Sequence, residues 1–361
     1  VLYNPLNEFP KTTNDDNTEN VEKFLKKITV KELKIHIMKS KNKAPGDSIY
    51  PQHLKIGSRK LYEILTILYN AALDLGYFPN GWKTSLISMI IKPNKPGSAP
   101  TSYRPISLLP ILGKLFERIM TSRITLFMIE KNLINKYQCG FRQRKSTVHQ
   151  LSRLTEHIYK WFNKKPTGRT VSIFIDAEKA FDTVWHHGLR KQLFNSGLPV
   201  FIIRWISSFL SNRQGKIKVN EFLSRSFMIK AGVPQGSILS PLLYIFFIRQ
   251  LPTKISNEIM SSFYADDICY SASDNPHKSR NTFAATHLQQ ILIDLESSCS
   301  KLRIKLNPDK TVVLNSFNSK ENNNTPRLWL RGELLKYEKS CKFLGVTFDS
   351  SQTLFNTLMT L

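Results

Sequence analysis

The sequence predicts an α+β fold built as one large or two to three closely joined globular units. Three observations carry this expectation. Helix-period and strand-period segments interleave along the chain without internal repeats. The 361 residues, 41% of them hydrophobic, suffice for a sizeable core. Short apolar strands with hairpin punctuation alternate with amphipathic helices rather than forming a regular βαβ series. Lys and Arg number 52 against 27 Asp and Glu, a net charge of +25 with a pI near 9.9. Such a balance attracts polyanions and makes the affinity salt-sensitive, so nucleic acid is the first candidate partner. An anionic membrane surface or a ribosome-like basic scaffold would share the composition. Cys139, Cys269, Cys299 and Cys341 are widely spaced with no C-x-x-C pair, which points away from a zinc ribbon or a secreted disulfide framework and toward a reducing compartment. The longest apolar run, Ile238 to Ile248, is interrupted by Ser240 and Pro241 and is too short for a bilayer. The chain is therefore expected to be intracellular, with no membrane partner. It starts at Val1 and stops within a patterned segment, so a piece of a longer polypeptide is expected.

Residues 1–20, rich in Asn, Asp and Thr, are expected to be a flexible lead-in. From 21 to 84 apolar positions recur at helical spacing, as in Leu61, Ile64, Leu65 and Leu68, with a break at Ala44-Pro45-Gly46-Asp47; a helical extension is expected there. Ser85 to Ile91 is a short apolar strand, followed by Lys92-Pro93-Asn94-Lys95-Pro96-Gly97 with turn chemistry and then Tyr103-Arg104-Pro105-Ile106, together a basic hairpin. Helices are expected around Leu112 to Ile124 and from Ser146, whose hydroxyl suits an N-cap. Val171 to Asp176 alternates as a strand, with Val171, Ile173 and Ile175 on one face and Phe174 and Asp176 on the other. Ile202, Trp205, Ile206, Phe209 and Leu210 form a helical stripe assigned to core packing. Strands at Lys216 to Val219 and Phe227 to Lys230 precede a buried helix at Ile238 to Ile248. A hairpin around Asp266-Asp267, a helix from His287 to Leu302 and strands at Thr311 to Leu314 and Lys342 to Phe348 complete the pattern.

Two acidic sites stand at the ends of apolar strands. Asp176 and Asp182 lie around an expected helix start in Asp176-Ala177-Glu178-Lys179-Ala180-Phe181-Asp182, and Asp266-Asp267 ends Phe263-Tyr264-Ala265. In isolation the first is an N-cap and the second a solvated turn. Brought together by a sheet, they would be like-charged carboxylates whose joint ionisation needs a cation, and a hard divalent ion with oxygen ligands is the natural complement. Two such ions can activate a primer 3′ hydroxyl and stabilise a leaving pyrophosphate in an in-line displacement.

The motifs resemble those of reverse transcriptases. Asp176 to Asp182 is similar to their first catalytic motif, Tyr264-Ala265-Asp266-Asp267 to their signature turn, and Gly232-Val233-Pro234-Gln235-Gly236-Ser237 with Leu239-Ser240-Pro241 to the motif between them, in the family's order. Tyr103-Arg104-Pro105-Ile106-Ser107-Leu108-Leu109, and Gly140-Phe141-Arg142 with Ser146-Thr147, resemble the finger motifs of jockey-type, LINE-class retrotransposons without long terminal repeats. The resemblance spans Val21 to Asp349. It implies a right-hand polymerase fold with fingers over 85–170, a palm over 171–349 carrying a finger insertion at about 200–231, and a truncated thumb starting at 350–361.

The resemblance also implies the roles of the site residues. Asp176, Asp266 and Asp267 would hold two Mg²⁺ ions, replaceable by Mn²⁺, with the Ala177 carbonyl as a further ligand. Phe181 would exclude a 2′ hydroxyl, unless it is simply a core aromatic. Lys92, or Lys95 in its place, and Arg104 would clasp the incoming triphosphate. Gln235 would touch nucleotide or template, Gly232 and Gly236 would allow close backbone approach, and Lys310, in Leu306-Asn307-Pro308-Asp309-Lys310-Thr311, would protonate or neutralise pyrophosphate. Phe343-Leu344-Gly345-Val346 resembles a primer-grip hairpin, a pattern that a plain buried strand would share. Implied partners are an RNA template, a DNA primer or target, deoxynucleoside triphosphates and an endonuclease domain in the same polypeptide, acting in nucleus and cytoplasm as a ribonucleoprotein. The rival readings are an RNA-dependent RNA polymerase, a domesticated nucleic-acid-binding remnant without catalysis, and a group II intron maturase.

Overall fold

The computed structural model describes residues 26–41, 44–93, 95–164, 168–274, 283–316 and 326–350. Both the expected lead-in at 1–20 and residues 351–361 of the expected thumb lie outside them. In chain order the helices are α1 (Val30–Met38), α2 (Pro51–Lys55), α3 (Arg59–Asp74), α4 (Ile111–Glu130), α5 (Thr147–Phe162), α6 (His186–Asn195), α7 (Val200–Leu210), α8 (Ser240–Phe247) and α9 (Phe283–Leu302). The main strands are β1 (Thr84–Ile91), β2 (Tyr103–Leu108), β3 (Arg169–Ile175), β4 (Arg213–Val219), β5 (Phe222–Leu223), β6 (Phe227–Ile229), β7 (Ile259–Tyr264), β8 (Asp267–Asp274), β9 (Val312–Ser316), β10 (Trp329–Leu330), β11 (Glu333–Leu334), β12 (Lys336–Glu338), β13 (Ser340–Phe343) and β14 (Val346–Asp349). Among the described residues no helix is long and apolar enough to cross a membrane.

The chain forms two compact units. The first comprises Val1–Leu133 and Phe181–Phe247. Its sheet runs β2-β1-β4-β5, with β6 also pairing β4, along the edge away from β1; β1 lies antiparallel to β2 and parallel to β4. The expected basic hairpin is β1–β2, in register from Leu86 opposite Leu108 to Ile91 opposite Tyr103. Its core is aromatic: Tyr69 stacks on Phe116 with ring centroids 4.9 Å apart, and Phe78 meets both Trp205 and Phe209 edge to face beside them. Such rings bury large apolar areas in offset or T-shaped contact. The stripe on α7 is buried as expected. Helix α4 continues beyond its expected end near Ile124 because Phe127 and Met128 extend the buried face and no Gly or Pro intervenes before Asn132, whose positive φ of 51° closes the turn.

The second unit comprises Ile134–Ala180 and Ile248–Leu361. Its five-stranded sheet has the order β12-β9-β3-β8-β7, so β3 is central and every one of its residues is buried. Leu154 and Ile158 of α5 pack with Phe174, Met260, Cys269, Leu314 and the β13–β14 hairpin, while α9 lies along β8 and β3. Helix α5 packs on β3 and β7 of this sheet and so belongs to this unit. The segment Lys342 to Phe348, a strand by its pattern and a hairpin by its resemblance, is a hairpin, turned at Leu344 and Gly345, both with positive φ. The helix start expected at Asp176 to Asp182 is instead a run of turns, with Lys179 at φ 45°; regular helix begins only at His186. Strands β5 and β10 to β12 carried no sequence signal, since two or three residues are too few to display a period.

Candidate active site

In the second unit, β3 and β8 pair antiparallel from Arg169 opposite Asp274 to Ile175 opposite Ile268. One further step sets Asp176 against Asp267, the first residue of β8. β7 and β8 form a tight hairpin whose last pair is Tyr264 with Asp267, leaving Ala265 and Asp266 at the turn. The sheet thereby brings Asp176, Asp266 and Asp267 together. All three side chains reach solvent, yet burial around Asp267 and then the charges of Asp266 and Asp176 push its pKa up to about 6. The backbone N–H of Asn307 donates to the Asp176 carbonyl at 3.0 Å, and that of Glu178 donates to Lys305 at 2.9 Å. These bonds flank the Ala177–Leu306 bridge and leave the Ala177 carbonyl outside it. Lys310, on the short turn Pro308–Lys310, sets its ammonium 3.8 Å from Asp176 Oδ2. Both partners are largely exposed, so this ion pair is worth little stability and acts as partial charge compensation.

The hairpin turn is held in large part by two residues, Gln138 and Gln150, that no motif or periodicity singles out. Ala265 adopts φ 56°, a left-handed conformation that costs a non-glycine residue on the order of 1 kcal/mol or more. Buried Gln138 supports it: its Oε1 accepts from the backbone N–H of Ala265 at 2.9 Å and of Gly140 at 2.7 Å. A Cβ on Gly140 would sit 2.2 Å from the Ala265 nitrogen, so only glycine permits this approach. Buried Gln150 donates to the Phe263 carbonyl at 2.8 Å, and Ser262 donates to Gln150 Oε1 at 2.9 Å. Gln138 and Gln150 are positioning residues for the acidic turn.

The remaining expected residues lie in the first unit. Lys92 and Arg104 stand at one end of the β1–β2 hairpin; Arg104 is exposed, opposite Ile90, whereas the Lys92 ammonium donates to the Thr101 carbonyl at 2.8 Å. Phe181 is half-buried, stacked on Tyr244 with centroids 4.7 Å apart. Gln235 donates to Asp182 Oδ1 at 3.0 Å, and its carbonyl accepts from Ser107 of β2 at 2.6 Å. Gly236, at φ 120°, comes so near Ser107 that a Cβ would lie 2.5 Å from its carbonyl oxygen. The loop ends on buried Glu117, whose Oε2 accepts from the Ser237 hydroxyl (2.5 Å) and the N–H groups of Ile238 (2.8 Å) and Leu239 (3.2 Å). Burial raises the pKa of Glu117, while these bonds and the Arg213 charge oppose the rise.

Among the described residues, no group of three or more His, Cys, Asp or Glu is already gathered at ligand spacing for a metal. The donor chemistry nevertheless fits a hard divalent cation: three adjacent carboxylates, with Asp267 made reluctant to ionise by burial and then by its two like-charged neighbours.

Residues 90–348 match the family described as reverse transcriptase (RNA-dependent DNA polymerase). The chain is 37% identical, over 91% of its length, to a probable RNA-directed DNA polymerase from transposon BS of Drosophila melanogaster. It is 33% identical, again over 91%, to the RNA-directed DNA polymerase from mobile element jockey of the same species. It spans 36% of each of these relatives. A solved telomerase from Candida tropicalis, in complex with a fragment of telomeric RNA, is 14% identical, with a TM-score of 0.50 over 82% of this chain and 48% of that one. That likeness concerns the fold, and it agrees with the expected polymerase architecture. The family match covers well over half of the sequence and includes both strands that bring the aspartates together: the chain belongs to the reverse transcriptase (RNA-dependent DNA polymerase) family.

Proposed function

We propose that this chain is the polymerase portion of a protein from a retrotransposon without long terminal repeats, adding deoxynucleotides to a primer 3′ hydroxyl on an RNA template. The observation that carries the reading is the β3–β8 register, which sets Asp176 beside Asp267 and next to the Asp266 turn. In this reading Asp176, Asp266, Asp267 and the Ala177 carbonyl hold two Mg²⁺ ions, or Mn²⁺ in their place. When bound, the ions supply charge neutralisation for the attacking and departing oxygens. The Lys310 ammonium, next to Asp176, neutralises or protonates the pyrophosphate. Arg104 binds the triphosphate bidentately, with Lys92 or Lys95 adding charge, and Gln235 and Gly236 present amide and bare backbone to the nucleotide or template. We assign finger and palm roles to the two units, and we place an endonuclease elsewhere in the full polypeptide, with the whole working as a ribonucleoprotein in nucleus and cytoplasm.

The direct test is primer extension on poly-A RNA with an oligo-dT primer, dTTP and Mg²⁺. Elongated DNA is expected, and its complete absence with folded protein refutes the reading. A second measurement separates this enzyme from an RNA-dependent RNA polymerase. Phe181 stacks on Tyr244 and so has a fixed ring plane. Phe181→Ala is expected to raise ribonucleotide incorporation relative to deoxynucleotide by roughly 10² or more, the scale at which a site loses discrimination over one hydroxyl. An unchanged sugar preference would make Phe181 a core aromatic only.

A further inference from the structure

We propose a second nucleic-acid contact in the second unit: a basic cavity, formed by the segment ahead of α5 and the first turn of that helix, that takes consecutive backbone phosphates of an RNA or DNA strand. The inference rests on the reading of this chain as a nucleic-acid polymerase and adds a binding subsite away from the three aspartates. Between Glu130 and Glu156 the sequence contains no acidic residue, while Lys131, Lys136, Arg142, Arg144, Lys145 and Arg153 all fall there. The fold gathers three of them, Lys136, Lys145 and Arg153, with Tyr137, Ser146 and His149, around a concavity of about 980 Å³ that no carboxylate lines.

Two of the cations, Lys136 and Arg153, are held in place. The Tyr137 ring has the Lys136 ammonium 4.9 Å and the Arg153 guanidinium 4.8 Å from its centroid, and Arg153 also donates to Gln150 Oε1 at 2.9 Å. Ser146 occupies the N-cap of the 16-residue α5, its own N–H donating to His149 Nδ1 at 3.2 Å. The positive end of that helix adds to the field of the side chains. With the Arg153 guanidinium already engaged by Gln150 and the Tyr137 ring, cations arranged in this way bind phosphate and sugar independently of sequence. The cavity is far larger than one phosphate requires, which favours a strand laid across it over a free anion. Gln150 ties the same cluster to the β7 strand through Phe263 and Ser262, so a strand bound here would be registered against the acidic hairpin.

The test is equilibrium binding of fluorescein-labelled 16-nucleotide RNA and DNA to the 361-residue chain, by anisotropy across a salt series without divalent metal or nucleotides. No catalysis is involved, so a failed primer-extension assay and a failed subsite remain separate results. K136Q/K145Q is compared with R59Q/K60Q, which removes the same charge from exposed positions on α3. The cavity pair is expected to weaken binding roughly five- to tenfold and to lower the slope of log K against log salt by about 1.4, at ~0.7 per phosphate on a single strand. The RNA and DNA arms decide which backbone the cavity prefers. Equal losses for the two double variants overturn the proposal. So does a loss confined to sedimentation with phosphatidylserine vesicles. Thermal melts of both variants confirm that folded protein is compared.

Discussion

Asp266→Asn is expected to reduce primer extension by roughly 10³-fold or more while leaving the fold intact. A bound cation contributes several kcal/mol of transition-state charge stabilisation, and each 1.36 kcal/mol is tenfold in rate. The side chain sits at an exposed turn whose backbone is anchored through Gln138, so the amide replaces the carboxylate without disturbing packing. The neighbouring Asp267→Asn should be equally inactive, yet more heat-stable than wild type in metal-free buffer near neutral pH. Its carboxyl holds a proton more tightly folded than unfolded. Below the ordinary aspartate range both states are protonated and the charge costs nothing; as pH rises to about 6 the unfolded state ionises first and folding stability falls. The metal-free wild type should therefore lose stability over that interval, and the Asn variant should lose less. Divalent metal should raise the melting temperature of the wild type and not of the variants. Extension surviving in Asp266→Asn would remove the metal role; a flat metal-free stability profile would remove the electrostatic argument.

The second large effect is on stability and comes from Glu117. Its carboxylate receives three donors at the start of α8 and is the opposite charge for Arg213, which is buried and whose own pKa burial lowers to about 10. Glu117→Ala strips those donors of their acceptor and leaves Arg213 without its neighbour, a change worth about 3–5 kcal/mol. Glu117→Gln keeps an acceptor and should lose less. Urea denaturation followed by tryptophan fluorescence, with Trp205 in the same unit's core, measures both. A loss below about 1 kcal/mol for the alanine variant would mean that the carboxylate does not anchor the Gln235-Gly236 loop.

Much of the acidic cluster was legible because strand alternation runs directly into it: a period of two ending on Asp176, and a hairpin ending on Asp266-Asp267, need only local pattern. Gln138 and Glu117 were not legible for the opposite reason. Their partners are main-chain groups 127 and 121 residues away, and a glutamine or glutamate bonded to distant backbone leaves no period in its own segment. Helix α5 illustrates a third case. Its apolar stripe announced one buried face, but no pattern states which sheet covers that face, and the packing of α5 on β3 and β7 is seen only in the fold. Lys310 had only a motif behind it; the turn Pro308–Lys310 and the 3.8 Å approach to Asp176 depend on the strand order around β3.

The supports of the acidic hairpin, Gln138 and Gln150, are neutral amides bonded to main chain. Amides neither titrate nor bind hard cations strongly, so the scaffold beneath the carboxylates is indifferent to acidity and to chelators. Stripping the ions or changing the buffer would alter the charge of the cluster while its frame keeps one shape. On the proposed reading, divalent ions would meet carboxylates already arranged for them, with the cost of crowding three acids borne by the strands and not by a rearrangement at each turnover.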